Sequence, residues 1–374
     1  MMRVIVTGGG TGGHIYPALA IADKFREIDP NTEILYVGNY DGIEKDVVPK
    51  TDYNFKMVTA RWIESINPIE LAKTGFAVIK GIQESKKIIK EFKPDVIIGT
   101  GGFVCVPMLM AGKMMKCRTY LHEQNAYPGK ANRMLEKDVN NIFLGFPDAE
   151  EFFKMPEKLI YAGNPVRKNF FTITKSEARE KLGIPQDDFV VFTFGGSVGS
   201  MKINEIAFEL LEIFNGHEGV SMVIGTGRWM HPKAIALLES KNIEVKDNIR
   251  VKGYIDNMDL HLLACDLVIC RSGALSVAET SVCGKAAIFV PFPEATGNHQ
   301  YYNAKSIADK GGAILIEEKD LVLEDVVKDV LSLKNNPEKL REMSQACRAC
   351  APDKALDIIC GKIIEDYNKD KGIV

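Results

Sequence analysis

The feature that most constrains the fold is an alternation of short apolar runs with longer amphipathic stretches, repeated in two series. The first series predicts strands at residues 3–7, 33–37, 96–99 and 118–122, with helices that include residues 17–27 and 79–92. The second predicts strands at residues 190–194, 221–224, 249–253, 267–270, 286–290 and 313–316. Short apolar runs predict buried strands, and strand–helix alternation predicts a parallel α/β sheet in each half.

The length of 374 residues favours two domains of roughly 150–200 residues each. The boundary is predicted at Asn164-Pro165, because a proline-set turn there follows a strand at 159–163 and precedes a charged helix at 176–182. We therefore expect domains at 1–164 and 165–351. A terminal helix at about 352–374 is expected to pack back on the first domain. Two similar halves imply a cleft between them, with ligands at the carboxyl ends of the strands.

Composition excludes several classes of function. The formal net charge of −3 argues against a nucleic-acid-binding protein. The chain opens directly as a strand without a signal peptide, and no apolar run reaches the roughly 20 residues that span a bilayer. The eight cysteines are scattered, and the Cys347–Cys350 pair has no second pair at zinc-site distance. We expect reduced thiols in a cytosolic protein, and no metal.

A glycine-rich loop follows the first predicted strand. Gly8, Gly10 and Gly13 satisfy the dinucleotide pattern G-x-G-x-x-G, but the next strand runs into Gly38-Asn39, and the nearest acid is Asp41. A NAD site is therefore disfavoured. Glycines let backbone N–H groups approach a phosphate at a helix N-terminus. His14 enters that helix, either as a general base or as a histidine bonded to the backbone.

Three further loops follow predicted strands. Gly99-Thr100-Gly101-Gly102 and His122-Glu123-Gln124-Asn125 belong to the first half, and the second places four polar side chains where a hydroxyl-rich ligand could bond. Ala126 stands where an HExxH zinc motif needs its second histidine. In the second half, residues 194–200 predict another phosphate-binding loop.

The stretch 270–279 also leaves a strand and opens a helix. Glu279 lies one turn into that helix, where it could accept hydrogen bonds from ribose hydroxyls. It could equally be a first-turn acid favoured by the helix dipole. Farther along, Asn298-His299-Gln300 follows another strand and could reach sugar hydroxyls.

Taken together, six motifs closely resemble the MurG family of bacterial glycosyltransferases. They are Gly-Gly-Thr-Gly-Gly-His at 9–14, His-Glu-Gln-Asn at 122–125, Gly-Asn-Pro-Val-Arg at 163–167, Gly-Gly-Ser at 195–197, Arg-Ser-Gly-Ala at 271–274 and Asn-His-Gln at 298–300. The resemblance implies the GT-B fold, two Rossmann-like α/β domains with parallel sheets facing a central cleft. It also implies inverting transfer of N-acetylglucosamine from UDP-N-acetylglucosamine to lipid I, which gives lipid II for peptidoglycan.

The resemblance also implies roles for individual residues. Thr11, Gly12 and Gly13 would approach the donor diphosphate and the acceptor, and His14 would be the base. The implied donor contacts are Asn125 and Gln300 on the sugar, Arg167 and Ser197 on the diphosphate, Ile255 on uracil, and Ala274, Leu275, Ser276, Val277, Ala278 and Glu279 along the nucleotide, with Glu279 on ribose. No Asp-x-Asp motif stands out, so neither a metal nor a cofactor is expected. Cys105-Val106-Pro107 replaces the family's Ser-Gly-Pro beside the acceptor.

A lipid-linked acceptor implies a peripheral protein on the cytoplasmic face of the membrane. Residues 73–93 interleave six lysines with apolar residues, and Lys113-Met114-Met115-Lys116 repeats the mixture, which suits anionic headgroups. A surface helix with one core-facing side gives the same pattern. Cell-wall synthesis or division proteins are possible partners. Rival functions are a UDP-sugar 2-epimerase, a galactolipid-synthase-like transferase and a non-enzymatic nucleotide-sugar-binding protein.

Overall fold

The computed structural model describes residues 1–61, 67–196 and 198–373. They form two compact units, Met1–Val166 with Pro352–Val374, and Arg167–Ala351. Each unit contains one sheet whose paired strands are all parallel. The two α/β units with parallel sheets that the sequence predicts are therefore confirmed.

The first unit is built on a seven-stranded sheet. Its strands are β1 (Arg3–Thr7), β2 (Glu33–Asn39), β3 (Asn54–Val58), β4 (Val96–Gly99), β5 (Arg118–Glu123), β6 (Asn141–Leu144) and β7 (Leu159–Tyr161). They lie in the order β3-β2-β1-β4-β5-β6-β7, so the strand order reverses beside β1. Ligands of such sheets bind at this reversal. Strands β3 and β6 were not predicted, because the short runs Asn-Phe-Lys-Met-Val and Asn-Ile-Phe-Leu carry little strand signal.

Five helices accompany these strands: α1 (Gly12–Ile28), α2 (Glu44–Val47), α3 (Pro68–Phe92), α4 (Cys105–Met114) and α5 (Lys130–Leu135). The predicted start of α1 at residue 17 was wrong, because the helix begins at Gly12 and contains Pro17. The predicted start of α3 at residue 79 was also late. Asn67 caps that helix by accepting a bond from the Glu70 N–H, and Pro68 fits its first turn.

Alternate residues of β1 lie on opposite faces of the sheet. Val4 and Val6 pack with residues of α1, including Ile21, whereas Ile5 packs with Met108 and Leu109 of α4. Both faces of the sheet are therefore covered by helices, as the continuous apolar runs predict.

The second unit repeats this plan with six strands. They are β8 (Phe189–Phe194), β9 (Val220–Gly225), β10 (Ile249–Lys252), β11 (Leu267–Cys270), β12 (Ala286–Phe289) and β13 (Ala313–Leu315), in the order β10-β9-β8-β11-β12-β13. Its helices are α6 (Lys175–Leu182), α7 (Met201–Phe214), α8 (His231–Ser240), α9 (Met258–Ala264), α10 (Ala274–Val282), α11 (His299–Ala308), α12 (Leu323–Asn335) and α13 (Pro337–Ala349). The strand order again reverses beside the first strand, β8.

The last helix, α14 (Ala355–Lys371), belongs to the first unit. Its Ile359 and Ile363 join the apolar cluster that contains Val4. Its Asp366 accepts a hydrogen bond of 2.9 Å from the Tyr120 hydroxyl. The end of the chain is therefore fixed to the first sheet by both apolar and polar contacts.

No helix among the described residues is both long enough and apolar enough to cross a membrane. All eight cysteines are free thiols. Burial raises the pKa of Cys347 to about 12, which disfavours the thiolate that redox chemistry needs.

Candidate active site

The first glycine loop joins β1 to α1. Thr11 caps α1 in an extended conformation, and its carbonyl accepts bonds from the N–H groups of His14 and Ile15 at 3.1 and 3.2 Å. Within the described part of the chain, the N–H groups of Thr11, Gly12 and Gly13 have no protein acceptor. Such groups at a helix start favour a ligand oxygen, particularly an anionic one.

The start of this loop does not match the sequence-based expectation of a phosphate cradle. The Gly9 N–H donates to the Gly101 carbonyl at 3.3 Å, and the Gly10 N–H donates to Glu44 Oε2 at 3.0 Å. Glu44 is buried, and its Oε1 also accepts a bond from the Asn39 N–H at 2.8 Å. The acid that serves this strand end is therefore Glu44 rather than Asp41, and it occupies N–H groups that were expected to meet a phosphate.

His14 Nδ1 lies between two hydrogen-bond acceptors. It lies 3.0 Å from the Thr100 carbonyl oxygen and 3.1 Å from Gln124 Oε1. Both neighbours are acceptors, so this hydrogen-bond network assigns the proton to Nδ1. The lone pair is consequently on Nε2, as a general base requires.

Gln124 and His122 continue this network. Gln124 Nε2 donates to His122 Nδ1 at 2.9 Å, and His122 Nε2 donates to the Gly163 carbonyl at 2.9 Å. Burial lowers the pKa of His122 to about 4, an effect that the His14 charge reinforces and the bond to Gly163 opposes. His122 is therefore neutral at physiological pH.

The expectation that residues 122–125 present four polar side chains to a ligand was wrong for three of them. His122, Glu123 and Gln124 are buried, and only Asn125 is partly exposed. Glu123 accepts bonds from the Asn125 N–H at 2.9 Å and from Asn132 Nδ2 at 2.7 Å. The motif mainly organises its own loop, and it brings Gln124 to His14.

Cys105 also belongs to the interior of this region. Its Sγ accepts a bond from the Gly101 N–H at 3.2 Å and lies 3.2 Å from the Thr7 carbonyl. Because the side chain is completely buried, the departure at this position supports the Thr100–Gly101 turn and does not line an acceptor surface.

The glycine loop of the second unit follows β8. Gly196 and Gly199 have φ of +88° and +97°, which favours glycine, and a Cβ on Gly199 would overlap the Thr226 carbonyl. Ser200 caps α7 by accepting a bond of 3.4 Å from the Ile203 N–H. Ser197, a predicted diphosphate contact, lies outside the described residues.

Arg167 and Glu279 lie together in the second unit. The Arg167 guanidinium is 3.8 Å from Glu279 Oε1. Burial raises the pKa of Glu279 to about 7, the Arg167 charge lowers it, and Asp259 raises it further. The fold thus pairs two residues that the sequence separates by more than a hundred positions.

The predicted nucleotide stretch 274–279 forms most of α10. Its N-cap is Gly273, whose carbonyl accepts a bond of 3.0 Å from the Val277 N–H. Leu275 and Ser276 are partly exposed, whereas Ala274, Val277 and Ala278 are buried. The side chains of these three residues pack into the second unit, whereas the Glu279 side chain lies beside Arg167.

Two further predicted contacts flank this helix start. The Gln300 carbonyl accepts a bond of 2.8 Å from Ser272 Oγ, and Gln300 Oε1 accepts one of 3.0 Å from the Phe292 N–H. Gln300 is thus held beside the start of α10, with its Nε2 as the donor that a sugar oxygen could use. Ile255 is half-buried and packs near Gly225 at the end of β9.

Arg271, which was not predicted as a site residue, connects the end of β11 to the loop after β12. It donates to the Val290 and Pro291 carbonyls at 3.0 and 2.9 Å and pairs with Glu318. No group of three or more His, Cys, Asp or Glu side chains in the described chain is arranged to hold a metal ion.

Comparison with known protein families assigns both units. Residues 4–144 match the glycosyltransferase family 28 N-terminal domain, and residues 190–357 match the family 28 C-terminal domain. The chain belongs to glycosyltransferase family 28. Its two parallel-sheet units are the two domains of the GT-B fold.

A curated relative agrees with this assignment, and two solved structures share the fold. The relative is the UDP-N-acetylglucosamine–N-acetylmuramyl-(pentapeptide) pyrophosphoryl-undecaprenol N-acetylglucosamine transferase of Alkaliphilus oremlandii, 39% identical over 92% of this chain and 93% of that protein. The crystal structure of Acinetobacter baumannii MurG is 24% identical, with a TM-score of 0.74 over 96% of this chain and 100% of that one. The UDP-GlcNAc 2-epimerase from Neisseria meningitidis, bound to UDP-GlcNAc, is 16% identical, with a TM-score of 0.68 over 98% of this chain and 100% of that one. Both structural likenesses concern the fold alone.

Proposed function

We propose that this protein transfers N-acetylglucosamine from UDP-N-acetylglucosamine to the muramyl 4-hydroxyl of lipid I, with inversion at the anomeric carbon. Membership of family 28 and the name of the Alkaliphilus relative support the donor and the acceptor. The products are UDP and lipid II, a precursor of peptidoglycan.

The observation that carries this proposal is the tautomer of His14. With the proton fixed on Nδ1 by Thr100 and Gln124, Nε2 can accept the proton of the acceptor hydroxyl as its oxygen attacks the anomeric carbon. General-base catalysis of this kind contributes about 10²–10⁴-fold to the rate.

We assign the nucleotide and diphosphate of the donor to the second unit. The leaving diphosphate gains negative charge, which Arg167, Ser197 and the N–H groups at the start of α10 would stabilise. Glu279 would accept bonds from ribose hydroxyls in its ionised form. Ile255 would meet uracil through its backbone, and Gln300 and Asn125 would bind the sugar.

A membrane-facing surface would bring the enzyme to its lipid-linked acceptor. On α3, Phe76 and Ile79 are 75% and 57% exposed, and on the adjacent α4, Met114 is 55% exposed. Lys73 and Lys80 are exposed beside them, which suits anionic headgroups. Ile88 and Ile89, two of the apolar residues in the stretch 73–93, are instead buried in the core. We propose peripheral binding at the cytoplasmic face, where cell-wall synthesis or division proteins could be partners.

Measurement of UDP release with a lipid I analogue tests the activity. We expect release that depends on both substrates, together with a β-linked disaccharide product. Conversion of UDP-N-acetylglucosamine alone into its manno epimer would instead identify a 2-epimerase. The His14→Ala variant should lose about 10²-fold or more of kcat while it retains UDP binding. Turnover at the wild-type rate would exclude His14 as the base.

A further inference from the structure

The buried carboxylate of Glu44 has no part in the mechanism above. It lies at the carboxyl ends of β1 and β2, and its side chain is completely buried. Oε2 accepts a bond from the Gly10 N–H at 3.0 Å, and Oε1 accepts one from the Asn39 N–H at 2.8 Å. One carboxylate therefore ties the first glycine loop to the end of the neighbouring strand.

The surrounding chain fits closely around this group. A Cβ built on Gly9 or Gly42 would overlap the Glu44 carboxylate, and one built on Gly38 would lie 2.5 Å from its Cγ. The absence of side chains at these three glycines thus leaves room for the Glu44 side chain.

The salt bridges of the described residues do not include Glu44. Its bonds to backbone N–H groups are of the charge-assisted kind that stabilises a carboxylate. The Glu44 carboxylate therefore accepts hydrogen bonds from this loop as a bound anion would.

The Glu44 carboxylate lies where dinucleotide-binding sheets hold a nucleotide. In a dinucleotide-binding fold, loop N–H groups after the first strand hold a pyrophosphate, and an acid at the end of the second strand holds a ribose. Here one internal carboxylate bonds to both the loop and the strand end. A ligand phosphate at Gly10 would have to displace it and would meet its negative charge.

We propose that Glu44 is a positioning residue that serves as a permanent internal anion for the first glycine loop. It excludes nucleotide phosphates from the start of the loop and fixes the backbone that leads to His14. The N–H groups of Thr11, Gly12 and Gly13 are thereby left for a substrate oxygen. This inference rests on the proposed function for its kinetic consequences, although the anion site itself does not.

The loop that Glu44 holds is also tied to His14. Thr100 Oγ1 donates to the His14 carbonyl at 2.7 Å, and a Cβ on Gly8 would overlap that same hydroxyl. Because the loop, the Thr100 turn and His14 pack this tightly, a shift of the loop moves the histidine. Misplacement of a reacting group by about 1 Å can cost about 10²-fold in rate.

The variants Glu44→Gln and Glu44→Ala test the proposal, with Asp41→Asn and Asp41→Ala as controls at an exposed acid of the same segment. The glutamine preserves volume, but its NH₂ group faces an N–H donor. We expect Glu44→Gln to lower kcat about 10²-fold, while the KM for UDP-N-acetylglucosamine changes less than about twofold because the proposed uracil and ribose contacts lie in the second unit. The Asp41 controls should retain wild-type values.

Formate provides a readout that does not depend on activity. In Glu44→Ala it should refill the vacated anion site, raise the melting temperature of that variant and partly restore kcat, with no effect on wild type or Asp41→Ala. If Glu44→Ala does not fold, the unequal effects of Glu44→Gln on kcat and KM decide the matter.

Three results would overturn the inference. They are a wild-type kcat in Glu44→Gln, a rise in its KM for UDP-N-acetylglucosamine as large as its loss of kcat, and a folded Glu44→Ala that does not respond to formate. Failure of the wild-type protein to release UDP with lipid I would overturn the proposed function instead. In that case the formate effect on melting temperature still tests the anion site.

Discussion

Gln124 links two histidines through the two ends of its amide. Its Oε1 lies 3.1 Å from His14 Nδ1, and its Nε2 lies 2.9 Å from His122 Nδ1. His122 can accept this bond because burial lowers its pKa to about 4 and keeps the ring neutral. A neutral buried histidine thus orients the amide, and the amide helps to fix the tautomer of His14.

The variant Gln124→Glu should shift the pH dependence of the reaction. A carboxylate cannot donate to His122 Nδ1, and its negative charge beside His14 Nδ1 stabilises the protonated imidazole. The acid limb of kcat/KM should therefore move to higher pH, as measured by UDP release from pH 5 to 9. Gln83→Glu, at an exposed position of α3, is the control. An acid limb unchanged from wild type would contradict this role for Gln124.

The variant Gly101→Ala should displace His14. Gly101 has a φ of +103°, and an added Cβ would lie 2.5 Å from His14 Nδ1. We expect kcat to fall about 10²-fold, with the Kd for UDP unchanged. Gly361→Ala, whose Cβ would meet no atom within 4 Å, should leave turnover unchanged. Equal kinetics in the two variants would show that the backbone at 101 does not set the position of His14.

Glu279 should make the stability of the folded protein depend on pH. Its folded pKa of about 7 exceeds the ordinary value of 4.5, so the folded state binds more protons than the unfolded state between these pH values. The free energy of unfolding should consequently fall as pH rises from about 4.5 to 7. Relative to Glu279→Gln, which cannot ionise, the loss should reach at most about 3 kcal/mol.

Urea unfolding of both proteins across this pH range measures the difference. Glu239→Gln, at an exposed position of the same unit, serves as the control and should follow the wild-type curve. Parallel curves for wild type and Glu279→Gln would mean that the carboxyl ionises normally in the folded protein.

The exposed apolar residues of α3 should support membrane binding. The double variant Phe76→Ser, Ile79→Ser removes apolar area that would enter the headgroup region, so co-sedimentation with anionic vesicles should decrease. Trp229→Ser is a matched control in the second unit, because Trp229 is 76% exposed and Phe76 is 75% exposed. An equal loss in both variants, or binding that ignores anionic lipid, would contradict the proposed surface.

The sequence predicted more of the fold than of the site. Continuous apolar runs such as those of β1 and β11 fixed most strands, because a strand covered on both faces needs no polar alternation. The short strand β3, with its charged Lys56, carried too weak a signal. Helix starts were missed at Gly12 and Pro68, because a glycine-rich entry and a capped proline lie outside the amphipathic pattern.

The sequence by itself determined the two α/β units and the glycine turns after β1 and β8, because strand period and turn chemistry are local properties. It singled out His14 and Glu279 as candidates but left a structural alternative open for each. Only the tertiary structure decided which polar side chains bond to one another. In the fold, Glu123 bonds within its own loop, Gln124 lies beside His14, and the Glu44 carboxylate bonds to the first glycine loop. These partners are up to 110 positions apart. Their hydrogen bonds form because parallel strands bring the ends of distant segments to one edge of a sheet, where a buried polar group must find a partner.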